Sequence, residues 1–343
     1  MSLSESNRAG VIAGGNWIVD RVKMVDSWPP QDSLANIRSE SQANGGSPYN
    51  VLKNLSKLKA TFPLEGIGLI GEDASGELIL ADCLRHGIDT KRLRRMSGGL
   101  TSYTDVMTVQ DTGRRTFFHQ RGTNAFLAPE HFDFTKTRAK FFHLGYILLL
   151  DGLDKIENGV PLARNVLRQA RVAGLRTSLD CVSENTDRFK VVVLPVLPEV
   201  DILFANDFEA EKLTGIPLRK NGLIQKASVE NAARELLAQG VRQWVILHFP
   251  EAAYAVTSGD SGYWQPSFEI PAGEVKGVAG AGDAFASGIL YALHFGWNMR
   301  DSLRLAVSAA ASSLLEPTCS DGILGAMECM RLDERWKFRL PLL

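Results

Sequence analysis

The stretch Gly277-Val278-Ala279-Gly280-Ala281-Gly282-Asp283-Ala284-Phe285 carries the strongest chemical signal in the chain. Three glycines precede an acid, and an apolar run of helical character follows. Glycines let backbone N–H groups approach a ligand closely. A helix start adds unpaired N–H donors and the positive end of a dipole, which suits a phosphate. A carboxylate there repels phosphate unless it has its own task. Asp283 fits the task of accepting a proton from an attacking hydroxyl while the amides of Gly280, Ala281 and Gly282 hold developing negative charge. A plainer reading uses the same residues: the glycines make a tight turn and Asp283 caps the helix.

The elements that must position this segment alternate. Residues 10–20 read as a buried strand broken at Gly14-Gly15, and residues 42–50 as a glycine turn that opens a helix. Residues 65–70 read as a strand, and 73–86 as a helix stopped by Gly87. Two β-rich runs, 101–109 and 115–119, flank the turn Asp111-Thr112-Gly113 and predict a hairpin. Strands follow at 140–144, 176–180, 202–205 and 244–248, with helices near 160–173, 208–214 and 229–239. Two helices are expected over 284–315. Such alternation implies right-handed crossovers and a largely parallel sheet.

Several segments, in order, resemble the ribokinase-like, or PfkB, carbohydrate kinases. Gly-Ala-Gly-Asp-Ala-Phe at 280–285 resembles that family's C-terminal signature. Gly15-Asn16-Trp17-Ile18-Val19-Asp20 resembles its first strand, Gly45-Gly46-Ser47-Pro48-Tyr49-Asn50 its GGxxxN turn, and Asn206-Asp207-Phe208-Glu209 its NxxE motif. Gly68-Leu69-Ile70-Gly71-Glu72-Asp73 and Gly87-Ile88-Asp89-Thr90 resemble landmarks between them. The likeness spans roughly residues 10 to 325.

It implies a three-layer α/β/α sandwich with a mostly parallel central sheet and a small β lid. The expected unit is one domain over 10–330, with lid segments at about 16–26 and 99–120 and a disordered tail at 1–9. It implies an ATP- and Mg2+-dependent kinase acting on a hydroxyl of a sugar or sugar-like molecule. Asp283 would be the base; Asp20, Gly45, Gly46 and Asn50 would bind substrate; Asn206 and Glu209 would lie near nucleotide and magnesium. No residue is assigned as a direct metal ligand. In many relatives the lid also makes a dimer contact, so a homodimer is possible. A nucleoside kinase of the same fold and a non-catalytic ligand-binding relative are the alternatives. Each binding residue also has a plain structural reading: Asp20 as a strand-end residue, Gly45, Gly46 and Asn50 as a turn and helix start, Asn206 and Glu209 as a helix cap and a solvated face. His119 and Arg121, near the end of the hairpin, read as surface residues that could also serve the site.

Three places depart from the family pattern. Gly277-Val278-Ala279 stands where relatives usually carry an acid and two hydroxyls that help hold a monovalent cation, so potassium activation is not expected. After the strand at 244–248, His248-Phe249-Pro250-Glu251 replaces a glycine-containing nucleotide turn, and Glu251 is expected to put negative charge beside the polyphosphate. Gly145 stands where ribokinase-type sugar sites often place a carboxylate.

Bulk properties narrow the alternatives. Charged residues make up 22% and the net charge is -1, with no long basic run, which argues against nucleic acid or an anionic membrane as partner. Cys83, Cys181, Cys319 and Cys329 are too scattered for a CxxC pair and fit a reducing compartment. No apolar run reaches the roughly 20 residues a bilayer requires; the cytoplasm is the expected location. Gly259-Asp260-Ser261-Gly262 reads as a hairpin turn rather than a protease nucleophile. Walker and Rossmann glycine motifs are absent, and the six histidines show no metal-ligand spacing.

Overall fold

Strand β1 (Val11–Gly15) sends alternate side chains to opposite faces: Val11 and Ala13 join one hydrophobic cluster, Ile12 the other. Such two-sided burial is what an internal parallel strand requires. The computed structural model describes residues 8–260 and 262–342. In chain order β1 is followed by β2 (Ile18–Val25), β3 (Ile37–Gly45), α1 (Ser47–Lys57), β4 (Leu64–Gly71), α2 (Ala74–Arg85) and β5 (Ile88–Met96). Next come β6 (Tyr103–Val109), β7 (Arg115–Gln120), β8 (Phe141–Ile147) and a short α3 (Asp151–Asp154). A two-residue ribbon, β9 (Ile156–Glu157) and β10 (Val160–Pro161), leads to α4 (Ala163–Val172), β11 (Arg176–Cys181), β12 (Ile202–Asn206) and α5 (Asp207–Thr214). A second ribbon, β13 (Arg219–Lys220) and β14 (Leu223–Ile224), leads to α6 (Lys226–Ala238), β15 (Trp244–His248), β16 (Ala252–Val256) and β17 (Tyr263–Pro266). The chain closes with α7 (Ala281–His294), α8 (Met299–Ser313) and a short α9 (Ala326–Cys329).

The main sheet runs β17-β16-β15-β12-β11-β8-β1-β4-β5. Its pairings are parallel from β15 through to β5; β16 and β17 add an antiparallel hairpin at one edge. Helices cover both faces. The cluster with Val166, Ala210 and Leu236 places α4, α5 and α6 on one side, and the cluster with Leu52, Phe285 and Leu303 places α1, α7 and α8 on the other. This is a three-layer α/β/α sandwich.

A second sheet, β3-β2-β6-β7, stands off the main one, with β2 parallel to β6 and antiparallel to β3. The sequence predicts lid segments that contain β2 and the β6–β7 hairpin but not β3, whose residues 37–42 are exposed. It also placed the last helices too late: α7 begins at Ala281, not Ala284, so Asp283 lies in the first helical turn. Residues 1–7 of the expected N-terminal tail lie outside the described residues. Arg8 donates to the carbonyls of Ala139 (3.0 Å) and Ala173, and the Ala9 N–H donates to the Arg138 carbonyl (2.9 Å), so these two are tied down. Ser261 is also outside the described residues; Gly259 and Gly262 flank it between the paired strands β16 and β17. Among the described residues no helix is long and apolar enough to cross a membrane.

Candidate active site

Gly280 caps α7 in the left-handed region, φ 78°, with no side-chain cap bond, so the first N–H groups of α7 have no partner supplied by the helix itself. A Cβ at Gly280 would stand 2.6 Å from both Cβ and O of Cys319, so glycine is required here by conformation and by space. Asp283 does not cap the helix. The residue is 1% exposed. Oδ2 accepts hydrogen bonds from Asn50 Nδ2 (2.8 Å) and from the Tyr146 hydroxyl (2.6 Å). Oδ1 is buried and, among the described residues, no group meets it with hydrogen-bond geometry, the Ser47 hydroxyl acting on the carboxyl only as a nearby polar group. Burial pushes the Asp283 carboxyl up to about 6, against the pull of Tyr146, Asn50 and Ser47. Burial and the neighbouring Asp283 raise the Tyr146 phenol well above its ordinary value, so Tyr146 stays a proton donor to Oδ2. One oxygen is thereby anchored and the other left free.

The anchors are themselves placed by the glycine turn. Gly46, φ 90°, caps α1, and a Cβ on it would strike the Asn16 carbonyl. The Asn50 N–H donates to the Gly46 carbonyl (2.9 Å), which sets Asn50 one turn into the helix. Asn16 Oδ1 accepts from the Tyr146 N–H (2.7 Å) and so fixes the tyrosine. Gly145 needs its missing side chain, since a Cβ there would meet Ser47. His143 lies in the core between Ser47 Oγ and Ser178 Oγ, 3.0 Å from each, and burial lowers it to about 3. It is a neutral histidine with both ring nitrogens in hydrogen-bond contact.

A cavity of about 620 Å³ is lined by Asp20, Gly46, Asn50, Gly280, Ala281, Gly282, Asp283, Asn206 and Glu209 together. Of the residues expected to bind substrate or nucleotide or to catalyse, Gly45 alone does not line it. Gly45 instead leaves room for Asp20, whose carboxylate a Cβ at position 45 would strike. Burial raises the Asp20 carboxyl to about 6, with Thr104 and Arg115 opposing and Asp283 adding to the rise. His119 also reaches this cavity, with Nδ1 3.0 Å from Thr104 Oγ1 and Nε2 without a partner. Arg121 turns away to the Leu148 carbonyl (3.3 Å) and Asp151 (3.5 Å).

Asn206 and Glu209 form a capping box at the start of α5: Glu209 N–H donates to Asn206 Oδ1 and Asn206 N–H to Glu209 Oε2, each at 2.9 Å. The solvated-face reading of Glu209 is overturned, because it is 3% exposed and also accepts from Ser183 Oγ (2.6 Å). Burial raises both Glu209 and Asp180, which stand in the same cavity.

A second cavity, about 490 Å³ and largely apolar, opens on the other side of the α7 start between Phe249, Phe268 and Leu314. The two cavities share Asn206, His248, Val278, Ala281 and Gly282. The expectation for Glu251 fails. Its carboxylate is clasped by Arg219 at 2.8 and 3.0 Å and lines neither cavity, so its charge is neutralised away from the site.

The residues missed in the sequence are Tyr146, Asp180 and His248. All three lie at the carboxyl ends of parallel strands, where open α/β sheets bind ligands. Asp180 and His248 close the strands expected at 176–180 and 244–248, whereas Tyr146 lies two residues beyond the strand expected at 140–144, because β8 runs on to Ile147.

The profile of the pfkB family of carbohydrate kinases matches residues 10–324. An ATP-dependent ribose-1-phosphate kinase of Halopiger xanaduensis is 28% identical over 82% of this chain and 83% of its own. A 5-dehydro-2-deoxygluconokinase of Clostridium perfringens is 24% identical over 84% and 83%. The ribokinase structure of Thermotoga maritima superposes with a TM-score of 0.77 at 19% identity, covering 95% of this chain and 99% of that one. Arabidopsis thaliana ribokinase complexed with ribose and ATP gives 0.75 at 20%, covering 95% and 98%. The chain belongs to the pfkB family of carbohydrate kinases, phosphotransferases with an alcohol group as acceptor.

Proposed function

We propose that this chain transfers the γ-phosphoryl group of ATP to a hydroxyl of an uncharged sugar or sugar-like molecule, with Asp283 as the base. The carrying observation is the free Oδ1 of Asp283, buried in the larger cavity beside the unpaired amides of α7. The acceptor O–H bond breaks as its proton passes to Oδ1. The oxygen uses that electron pair to bond the γ-phosphorus, and the bond from phosphorus to the β-phosphate oxygen breaks, releasing ADP with its pair. Amides of Gly280 and Gly282 face the charge that develops on the phosphoryl oxygens. Tyr146 and Asn50 keep the carboxylate aimed throughout.

Magnesium fits the donor set. No cluster of three metal-ligating side chains occurs among the described residues, which suits an ion held chiefly by phosphates and water. Asp180 and Glu209 are the carboxylates that would hold it, and the ion would neutralise phosphate charge.

Acceptor charge follows from the lining. Asp20, Asp180, Glu209 and Asp283 face the larger cavity, and among the described residues no lysine or arginine lines it. Arg115, whose charge reaches Asp20, and Lys276 line not this cavity but an adjoining cleft that shares Phe117, Val278 and Ala279 with it. A phosphate or carboxylate on the acceptor has no cation to meet there, so a sugar phosphate like that named for the Halopiger relative is disfavoured. Nucleosides are a second reading, since Phe117 and His119 give the cavity an aromatic wall suited to a base.

A screen with MgATP against free pentoses, hexoses, nucleosides, sugar acids and sugar phosphates tests this, read by ADP release. Neutral acceptors should dominate; a sugar phosphate or acid as best substrate would contradict the charge argument. On the best acceptor, Asp20→Ala should raise KM by roughly 10- to 100-fold with a smaller change in kcat, the scale of one or two lost hydrogen bonds to a charged group. A silent screen with tight sugar binding would favour a non-catalytic relative.

A further inference from the structure

Strand β15, at the rim of both cavities, ends on His248, and no glycine turn follows it. In the parallel register of β12 and β15, His248 is the partner of Asn206, so the two residues close neighbouring strands side by side. His248 lines both cavities. Its ring stacks on Phe285, with centroids 5.0 Å apart and planes 30° from parallel, which fixes its orientation from the α7 side. A Cβ built on Gly282 would lie 3.4 Å from His248 Cε1 and 3.8 Å from Nε2. The imidazole therefore flanks the same gap as the amides that open α7. Among the described residues no protein group hydrogen-bonds either ring nitrogen. Burial lowers the ring to about 4, with Asp207 pulling the other way, so the free protein carries it neutral with one N–H.

We propose that His248 replaces the missing glycine turn as a side-chain donor to the phosphate chain of the nucleotide, at the gap where the two cavities meet. The inference rests on the reading of the chain as an ATP-dependent kinase. A phosphate in that gap meets the amide of Gly282 on one side and the imidazole N–H on the other. A polyanion nearby also favours the protonated ring, which would turn a neutral hydrogen bond into a charge-assisted one. This explains how a chain without the glycine loop can still grip a polyphosphate. It also gives a reason for an imidazole to stand open at a junction where an apolar residue would stack on Phe285 equally well.

The test compares dissociation constants for ATP and adenosine, by calorimetry with Mg2+ present, in wild type, His248→Ala and His248→Gln. Wild type should bind ATP more tightly than adenosine. His248→Ala should weaken ATP at least tenfold and leave adenosine within twofold. His248→Gln keeps an N–H donor of similar reach and should recover most of the loss. Equal losses for ATP and adenosine, or no loss for either, would overturn the role of His248 while leaving the kinase reading intact. A wild type that binds ATP no better than adenosine would overturn both.

Discussion

Replacement of Asp283 by Asn lowers kcat by roughly 10³-fold or more and leaves sugar affinity within a few-fold. General-base catalysis contributes about 10²- to 10⁴-fold, and the amide lost at Oδ1 cannot accept a proton. The isostere keeps an oxygen for Asn50 and Tyr146, so the pocket retains its shape. The same change should stabilise the protein at neutral pH. Burial raises the wild-type carboxyl from 3.8 to about 6, so the fold prefers the protonated acid. That preference is fully present below about pH 4 and lost as pH rises through about 6, a difference of roughly 3 kcal/mol. Asn carries no charge and suffers no such loss. Thermal unfolding should therefore show Asp283→Asn above wild type at pH 8, with the gap closing towards pH 4. A variant less stable than wild type at pH 8 would mean that the ionised carboxylate is held by partners other than those described.

Gly280→Ala should lower kcat about 100-fold or more while sugar affinity changes little. The left-handed conformation at φ 78° costs a non-glycine residue about 1–2 kcal/mol. The new Cβ would also stand 2.6 Å from the Cβ and carbonyl oxygen of Cys319. Either the 316–320 segment or the first turn of α7 must move, and both bound the place where charge develops. Losing one such donor typically costs 10²- to 10³-fold. Gly273→Ala is the control, because a Cβ there meets nothing within 4 Å; its kcat should match wild type. Wild-type turnover in Gly280→Ala would remove the α7 amides from catalysis.

Segments that carry their own pattern were legible in the sequence. The Gly280–Phe285 stretch, the Gly46–Asn50 turn and the buried parallel strands announce themselves through glycine placement and apolar runs. Strand β3 did not, because its residues 37–42 are exposed and, after Ile37, all polar, and it exists through pairing with β2. Strand β5 was hidden in the same way by Lys91, Arg92, Arg94 and Arg95, charges that suit a sheet edge. Tyr146 and Asp180 were missed for another reason. Each is an ordinary residue at a strand end, and its value comes from neighbours distant in sequence: Tyr146 meets Asp283 across 137 positions. Glu251 misled because its partner Arg219 is 32 positions away, and a local reading sees only the charge. The NxxE motif carries a double meaning, since the same four residues cap α5 and line the cavity.

In the proposed reaction Asp283 Oδ1 takes the proton from the acceptor. The most direct measurement is the pH dependence of single-turnover phosphoryl transfer in wild type, Asp20→Asn and Asp283→Asn. Asp20 is also raised to about 6, so the variants are needed to tell the two acids apart. Wild type and Asp20→Asn should both lose rate below an inflection near pH 6 and stay flat above it, and the small residual rate of Asp283→Asn should show no such inflection. An inflection that persists in Asp283→Asn, or that vanishes in Asp20→Asn alone, would assign the proton transfer to another group.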